Sequence, residues 1–179
     1  MRQTKQRQHV RLTAYAAIIA SLYVLFTYIS ALAGLASGVI QLRLSEALTI
    51  LPALLAYTED KVGHKASIIG LTLGCAIANL LTGSAPWDVL FGSLATLLGA
   101  LGTYALRRHP YLIWIPPVLA NVLIVPYILT YVYGAPDSHL FLCLTVGIGE
   151  ILSAGVLGMA LYALLMGRFF QKETPKETK

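Results

Sequence analysis

Charge is what this chain has least of. Only 12% of its 179 residues are Asp, Glu, Lys or Arg, against about 25% in an ordinary soluble domain. None occurs between Leu12 and Leu42. Polar sequence is confined to Met1–Arg11 and Arg168–Lys179, which are too short to hold a soluble catalytic or nucleic-acid-binding domain. Histidine is missing from every apolar interior, because His9, His64, His109 and His139 all stand at ends or in loops. That leaves Ser93 in "FGSLAT" without the base an intramembrane serine protease needs, and leaves no ligand cluster for a membrane metalloenzyme. The phosphate-cradling pattern G-x-x-x-x-G-K-[ST] is absent, so the chain does not bind and hydrolyse ATP through such a loop. Cys75 and Cys143 lie in apolar runs without metal-ligand spacing and read as small packing residues. No enzyme and no metal site are expected.

What the chain has instead is hydrophobicity: 57% apolar residues and a mean hydropathy of +0.72. A membrane helix needs about 20 mostly apolar residues. Leu12–Leu35, Ala66–Leu81, Val89–Leu106 and Leu140–Gly167 meet that need, and Tyr111–Tyr133 joins them despite Pro116, Pro117 and Pro126. The first run follows Arg2, Lys5, Arg7 and Arg11 and precedes Ala31-Leu32-Ala33, as a signal peptide would. It is longer than a signal core of about 7 to 15 residues, so it is expected to remain as a span. Leu44–Tyr57 is short and contains Glu46 and Pro52, but charge parity makes it a sixth span. With six crossings and the amino terminus inside, every Lys and Arg except Arg43 falls on the cytoplasmic side, as the positive-inside rule requires. Trp87, Tyr131 and Tyr133 then mark the outer boundary, and Tyr57, Tyr104 and Trp114 the inner one. Gly70/Gly74, Ala95/Gly99 and Ala154/Gly158 are ordinary close-packing pairs. The expected fold is an all-α membrane protein of six transmembrane helices, both termini cytoplasmic and helix 2 short. Residues 1–11 form a basic cytoplasmic terminus, 12–167 the membrane domain and 168–179 a polar cytoplasmic tail.

Few polar residues remain, so each one counts. Glu59, Asp60, Glu173 and Glu177 sit among inner basic residues as solvated surface, and Asp137 belongs to the loop Gly134–His139. Glu150 lies about 15 Å into the last helix at 1.5 Å per residue, near mid-bilayer. A carboxylate there costs about 2.5 to 3.5 kcal/mol and faces a cavity or a partner. Arg43 and Glu46, three apart, share a face if helix 2 begins near Leu42. Asn79 in "GCAIANLL" and Asn121 in "PPVLANVLIVP" are amides deep in apolar helices, the second bracketed by prolines as in the broken helices that line cavities. Trp87 and Asp88 open helix 4 from the outside. Each of these side chains could simply staple helices together. As a set, carboxylates for N–H groups, amides for a ring edge and an aromatic face suit a flat nitrogen heterocycle.

Several stretches resemble a known family. Six short spans with Ala16 and Ala20 as an AxxxA pair look like a substrate-binding S component of an energy-coupling factor transporter. Within that group, "RLSEALTILP", "GCAIANLLTG", "WDVLFGSLATLLGALGTYALRR", "PPVLANVLIV" and "VGIGE" resemble the QueT family of queuosine-precursor transporters. The resemblance covers nearly the whole chain outside its termini. It implies a subunit of the bacterial inner membrane that captures a 7-deazaguanine base from outside. That subunit docks with a membrane coupling protein and two cytosolic ATPases, and topples to deliver its cargo inward. ATP is then used by the partners, and this chain binds no cofactor. Ala16 and Ala20 would form the docking face. Glu150 or Glu46 would take the ring N–H and exocyclic amine together, while Asn79 and Asn121 read carbonyl and ring nitrogens. Trp87 would stack or close a lid, and, if the ligand carries an aminomethyl cation, a second carboxylate such as Asp88 would neutralise it. Arg43 would hold Glu46 ionised and position a lid at the helix 1–2 connection. The rivals are an S component for another small heterocycle, an assembly protein with purely structural polar groups, and a proton-coupled carrier working through Glu150.

Overall fold

The computed structural model describes residues 2–35, 40–57 and 62–171, with backbone alone at 2–5 and 168–171. Glu59, Asp60, Lys61 and the tail carrying Lys172, Glu173, Lys176, Glu177 and Lys179 lie outside the described residues. Among those described, the chain is helical throughout and forms no strand.

Helix α1 runs Arg2–Leu32, 31 residues in all. At 1.5 Å per residue it exceeds the roughly 30 Å hydrocarbon core. The expected polar terminus is therefore helical too, because Arg, Gln and Lys are good helix formers that carry the span onward into water. Helix α2 is the short element, Leu44–Leu55. Its first part, Leu44–Ile50, is a 3₁₀ helix and its second, Leu51–Leu55, an α-helix. Pro52 has no N–H to give the Leu48 carbonyl, which instead accepts from Leu51 N–H in the tighter pattern. Residues Ser45–Ile50 are all buried. An element carrying Ser45, Glu46 and Thr49 cannot face lipid, so α2 is wrapped by α1, α3 and the last helix.

Four further helices complete the bundle: α3 Gly63–Leu81, α4 Pro86–Ala105, α5 Ile115–Tyr131 and α6. The last comprises His139–Glu150, a π-helical stretch Ile151–Leu157 and Gly158–Gln171. Among the described residues, five helices are long and apolar enough to span a membrane, and the short α2 is the sixth crossing. The main packing runs α1 on α3, α3 on α4, α4 on α5 and α5 on α6.

Small residues set those contacts. A Cβ on Gly70 would lie 2.7 Å from the Ala16 carbonyl, and one on Gly74 would lie 3.0 Å from the Ala20 Cα. Across the bundle, Gly99 and Gly102 receive Pro117 and Pro116, with hypothetical Cβ distances of 2.8 and 2.5 Å. In lipid there is no hydrophobic drive between helices, so such close backbone approach is what holds them together. Outward faces carry Ile69, Leu73 and Ile77 on α3, and Leu94, Leu98 and Leu101 on α4, all exposed as lipid contact demands.

At the end of the bundle where Arg107 stands, basic residues are tied in by aromatics. The Tyr57 hydroxyl donates to the Arg107 carbonyl. The Arg107 guanidinium lies 4.3 Å from the Tyr104 ring centroid, and His64 stacks on the same ring at 4.7 Å. The positive-inside rule assigns this end to the cytoplasm. The opposite end, where α3 meets α4 and α5 meets α6, is then the outer one.

Candidate functional site

A polar cavity of about 280 Å³ opens at the outer end. Thr27 and Ala31 of α1 line it, with Gln41 and Arg43 ahead of α2, Asn79 and Thr82 of α3, Ser84 and Asp88 around the start of α4, and Tyr133 after α5. Three grooves are larger: about 850 Å³ beside α1 and α3 and about 510 Å³ beside α4 and α5, both apolar and on the outward faces, and about 520 Å³ around Gln6, Arg7, Val10 and Arg11 at the start of α1, far from the outer end. Ligand pockets usually measure about 300 to 1,000 Å³, so the polar cavity suits one small ring compound.

Each wall follows from local sequence. Pro86 and Asp88 sit in the first turn of α4, where fixed φ and negative charge are both favoured. Asp88 is only 7% exposed. Its Oδ2 accepts from the Tyr133 hydroxyl at 2.8 Å, and the same hydroxyl accepts from Ala85 N–H at 3.1 Å. Burial and the neighbouring Asp88 carboxylate push the Tyr133 phenol above its ordinary value, despite the bond from Ala85. A raised phenol pKa keeps the proton on, and hence the bond to Asp88, past the pH at which a free phenol ionises. Asn79 Nδ2 points at the Asp88 carbonyl at 3.5 Å. Gly92 leaves the space both need, since a Cβ there would lie 3.0 Å from Asn79 Nδ2 and 3.3 Å from Asp88 Oδ1.

A second polar tier lies one helical turn deeper. Four residues before Thr27, Asn79 and Val125 of the cavity wall come Tyr23, Cys75 and Asn121. Tyr23 donates its hydroxyl to Glu46 Oε1. Thr27 donates to Ser45 at 2.8 Å, Leu44 N–H to Ser30 at 2.9 Å, and Arg43 N–H to Ser153 at 3.1 Å. These bonds seat α2 between α1 and α6. Asn121 donates to the Pro117 carbonyl at 3.1 Å and its side chain also reaches Glu150. Glu46 is 2% and Glu150 8% exposed. Among the described residues, Glu46 Oε2 and Glu150 Oε2 are the buried side-chain polar atoms with no hydrogen-bond partner. Glu150 is also the last residue before the π-helical stretch, a widened turn of the kind frequent at functional sites.

Sequence expectation and structure part at four residues. Arg43 and Glu46 do not share a helical face, because α2 begins at Leu44 and Arg43 is extended, with φ −109° and ψ 109°. No salt bridge or guanidinium hydrogen bond joins Arg43 to any described residue; it lines the cavity, and its field reaches Asp88, Glu46 and Glu150. Trp87 does not enter the cavity. It is 58% exposed, stacks on Phe91 with centroids 6.1 Å apart and borders the outward groove of α4 and α5. Trp87 precedes Asp88 by one residue, a turn of about 100° around the helix, so it faces the outward groove while Asp88 faces the cavity. Ala16 and Ala20 are buried against Gly70 and Gly74 of α3, reaching only the floor of the groove beside α1. The remaining residues, Glu46, Asn79, Asp88, Asn121 and Glu150, fall in the two tiers. Sequence reasoning missed Tyr23, Thr27, Gly92 and the inward role of Tyr133. Tyr23, Thr27 and Ser30 continue the stripe of Ala16 and Ala20 at alternating spacings of four and three, which was a usable signal.

Among the described residues, a helical bundle with six crossings and a polar cavity at its outer end defines a multi-pass membrane protein. The model of the QueT transporter family matches residues 13–167, and the chain belongs to that family. It is a family of transporters, not of enzymes, and places the chain in the bacterial cell membrane. Over 83 residues the chain is 39% identical to the queuosine precursor transporter QueT of Lactococcus lactis subsp. cremoris (strain MG1363). That alignment covers 46% of this chain and 43% of the relative. No solved structure matches.

Proposed function

We propose that the chain is the ligand-capturing S component of an energy-coupling factor importer for a queuosine precursor, a 7-deazaguanine base taken from outside. The observation that carries this reading is the outer cavity, in which Arg43, Asn79 and Asp88 converge above two buried carboxylates that each keep one oxygen without a hydrogen-bond partner. A guanine-like ring offers donors on one edge and a carbonyl beside them. Glu46 Oε2 and Glu150 Oε2 are acceptors for a ring N–H and exocyclic amine, Asn79 and Asn121 can read either polarity, and Arg43 offers donors to the carbonyl. A ligand reaching the deeper tier satisfies charges that otherwise remain costly in a membrane interior. With no phosphate-binding loop in the chain, energy comes from elsewhere. A membrane coupling subunit and two cytosolic ATPases supply it, and this chain holds no cofactor of its own.

Calorimetry of the purified protein with a 7-deazaguanine base, with guanine and Glu150→Gln as comparisons, tests the assignment. Loss of one buried charge-assisted partner weakens binding by about 2 to 5 kcal/mol. Tight binding that collapses in Glu150→Gln supports the reading. A folded sample that binds another heterocycle and no deazaguanine removes the substrate but leaves the S component. ATP-independent, pH-dependent uptake by vesicles containing this chain alone would point to a proton-coupled carrier instead.

A further inference from the structure

We propose that the cytoplasmic mouth of the groove beside α1 and α3 binds one anionic phospholipid, with Arg7, Arg11 and Lys65 around its phosphate and an acyl chain laid along α1. Such a site does not depend on the importer reading. Helix register brings its parts together. Gly70 meets Ala16 and Gly74 meets Ala20, so α1 and α3 run side by side in the same direction, and Lys65 stands level with Arg11. From Lys65, steps of four reach Ile69, Leu73 and Ile77, the α3 wall of the groove. From Val10, steps of three and four reach Thr13, Ala17, Ser21, Val24 and Tyr28, the α1 wall. Residues so spaced share one helix face, so both walls begin among basic residues.

At the mouth, Arg7 and Arg11 line the groove of about 520 Å³ that ends where Leu12 and Thr13 open the larger one. Arg11 is oriented by Tyr15, whose hydroxyl accepts from Nη2 at 3.4 Å and whose ring centroid lies 5.8 Å from the guanidinium carbon. A guanidinium has five N–H donors, so one bond to a phenol does not exhaust it. The described carboxylates, Glu46, Asp88, Asp137 and Glu150, all stand deeper or at the outer end. Among the described residues, the charge at the mouth is therefore of one sign. A phosphodiester is its complement, because guanidinium forks match phosphate oxygens, and basic pockets between helices on the cytoplasmic side suit anionic headgroups. Beyond the mouth the groove becomes apolar. The hydroxyls of Thr13 and Ser21 turn back onto the His9 and Ala17 carbonyls at 3.1 and 2.8 Å, so neither seeks a polar ligand. From Leu12 to Tyr28 the groove runs about 24 Å, more than the roughly 15 Å of one leaflet, so a chain hung from the headgroup lies within it. A soluble anion would use the mouth alone and an apolar helix the groove alone. An anionic phospholipid uses both.

Native mass spectrometry of the full chain, released from detergent with equal amounts of dioleoylphosphatidylglycerol and dioleoylphosphatidylcholine, tests the site. One basic residue beside an anionic headgroup contributes about 5-fold, so the anionic lipid should be retained about 20-fold or more over the zwitterionic one. In Arg11→Gln/Lys65→Gln the preference should fall to about 5-fold or less. Arg108→Gln, which removes an exposed charge just beyond α4 at the same end, should leave it unchanged. Ala17→Leu puts a side chain where the acyl chain lies and should lower retention of the anionic lipid, and thermal unfolding shows that each variant is folded. Glycerol 3-phosphate, the same anion without chains, should not compete. Equal retention of the two lipids, or a preference lost as readily in Arg108→Gln, reduces the effect to diffuse charge and overturns the site. Competition by glycerol 3-phosphate would make the mouth a free-anion site, and unchanged retention in Ala17→Leu would put the chain elsewhere. Retention of neither lipid by a protein that runs as a dimer would give the groove to a second copy. Each of these outcomes overturns the lipid site and leaves the importer reading standing.

Discussion

At the residue scale, the sharpest constraint is that ionisable groups inside a membrane bundle must find donors. Glu46 meets it through Tyr23, whose hydroxyl is fully enclosed with it between α1 and α2. Tyr23→Phe removes that donor and nothing else of size, leaving Glu46 Oε1 as well as Oε2 unsatisfied. Stranding a buried acceptor costs about 1 to 3 kcal/mol, and about 2 to 4 °C of melting temperature accompanies each kcal/mol at this chain length. Thermal unfolding of the purified variant should therefore show a clear drop, and an unchanged melting temperature would mean that water replaces the phenol. The carboxylates and amides of the site were legible in the sequence because so few polar residues interrupt the apolar runs. Tyr23 was legible only through the stripe of Ala16 and Ala20 that it continues, since its residue type does not separate it from the other tyrosines of a chain with 10. Its partner is 23 positions away. Arg43 was placed on the wrong face for a related reason. Side-chain direction depends on where a helix starts, and α2 starts just after it.

At the element scale, the short α2 and the long α6 are fitted to one another with little clearance. A Cβ at Gly149 would lie 2.1 Å from the Gln41 carbonyl oxygen, and one at Gly158 would lie 3.3 Å from that of Ala47. Backbone on both sides of the first contact leaves nothing flexible to yield. Gly149→Ala should therefore cost at least the roughly 1 to 3 kcal/mol of an overpacked core. It should also weaken ligand binding, because Gln41 is part of the cavity wall. Gly155→Ala is the natural control. It lies in the same helix, where a Cβ meets its nearest neighbour at an ordinary 3.5 Å, and a good helix former there should be neutral or slightly stabilising. Melting curves of the two variants side by side check this, and equal behaviour would mean that the α2–α6 fit is loose. The sequence predicted six crossings from charge parity and a short second one from Glu46 and Pro52. It did not predict the 3₁₀ form of α2 or the π-helical stretch of α6, because both arise from contacts between elements rather than from local preference.

At the scale of the whole molecule, two surfaces are set apart. The polar cavity opens at the outer end, whereas the apolar groove of about 850 Å³ runs along the side of α1 and α3. If the coupling subunit docks along α1, as we propose, its contact falls on residues that border this groove. Ala16 and Ala20 are already taken up by Gly70 and Gly74, so enlarging either should damage the fold itself. Ala17 and Ser21 are exposed on the same stretch of α1 and border the groove. Ala17→Leu adds apolar volume toward lipid and should leave folding and ligand affinity within about 2-fold, since exposed substitutions usually change stability by less than 0.5 kcal/mol. The same substitution fills the place where a partner helix would lie closest, and small residues are what permit such approach. Co-purification with the coupling subunit and ATP-driven uptake in reconstituted vesicles should therefore fall at least tenfold while binding in detergent stays intact. Loss of ligand binding together with uptake would mean that α1 transmits the change to the cavity through Tyr23 and Thr27. Full uptake by Ala17→Leu would place the coupling subunit on another face of the bundle.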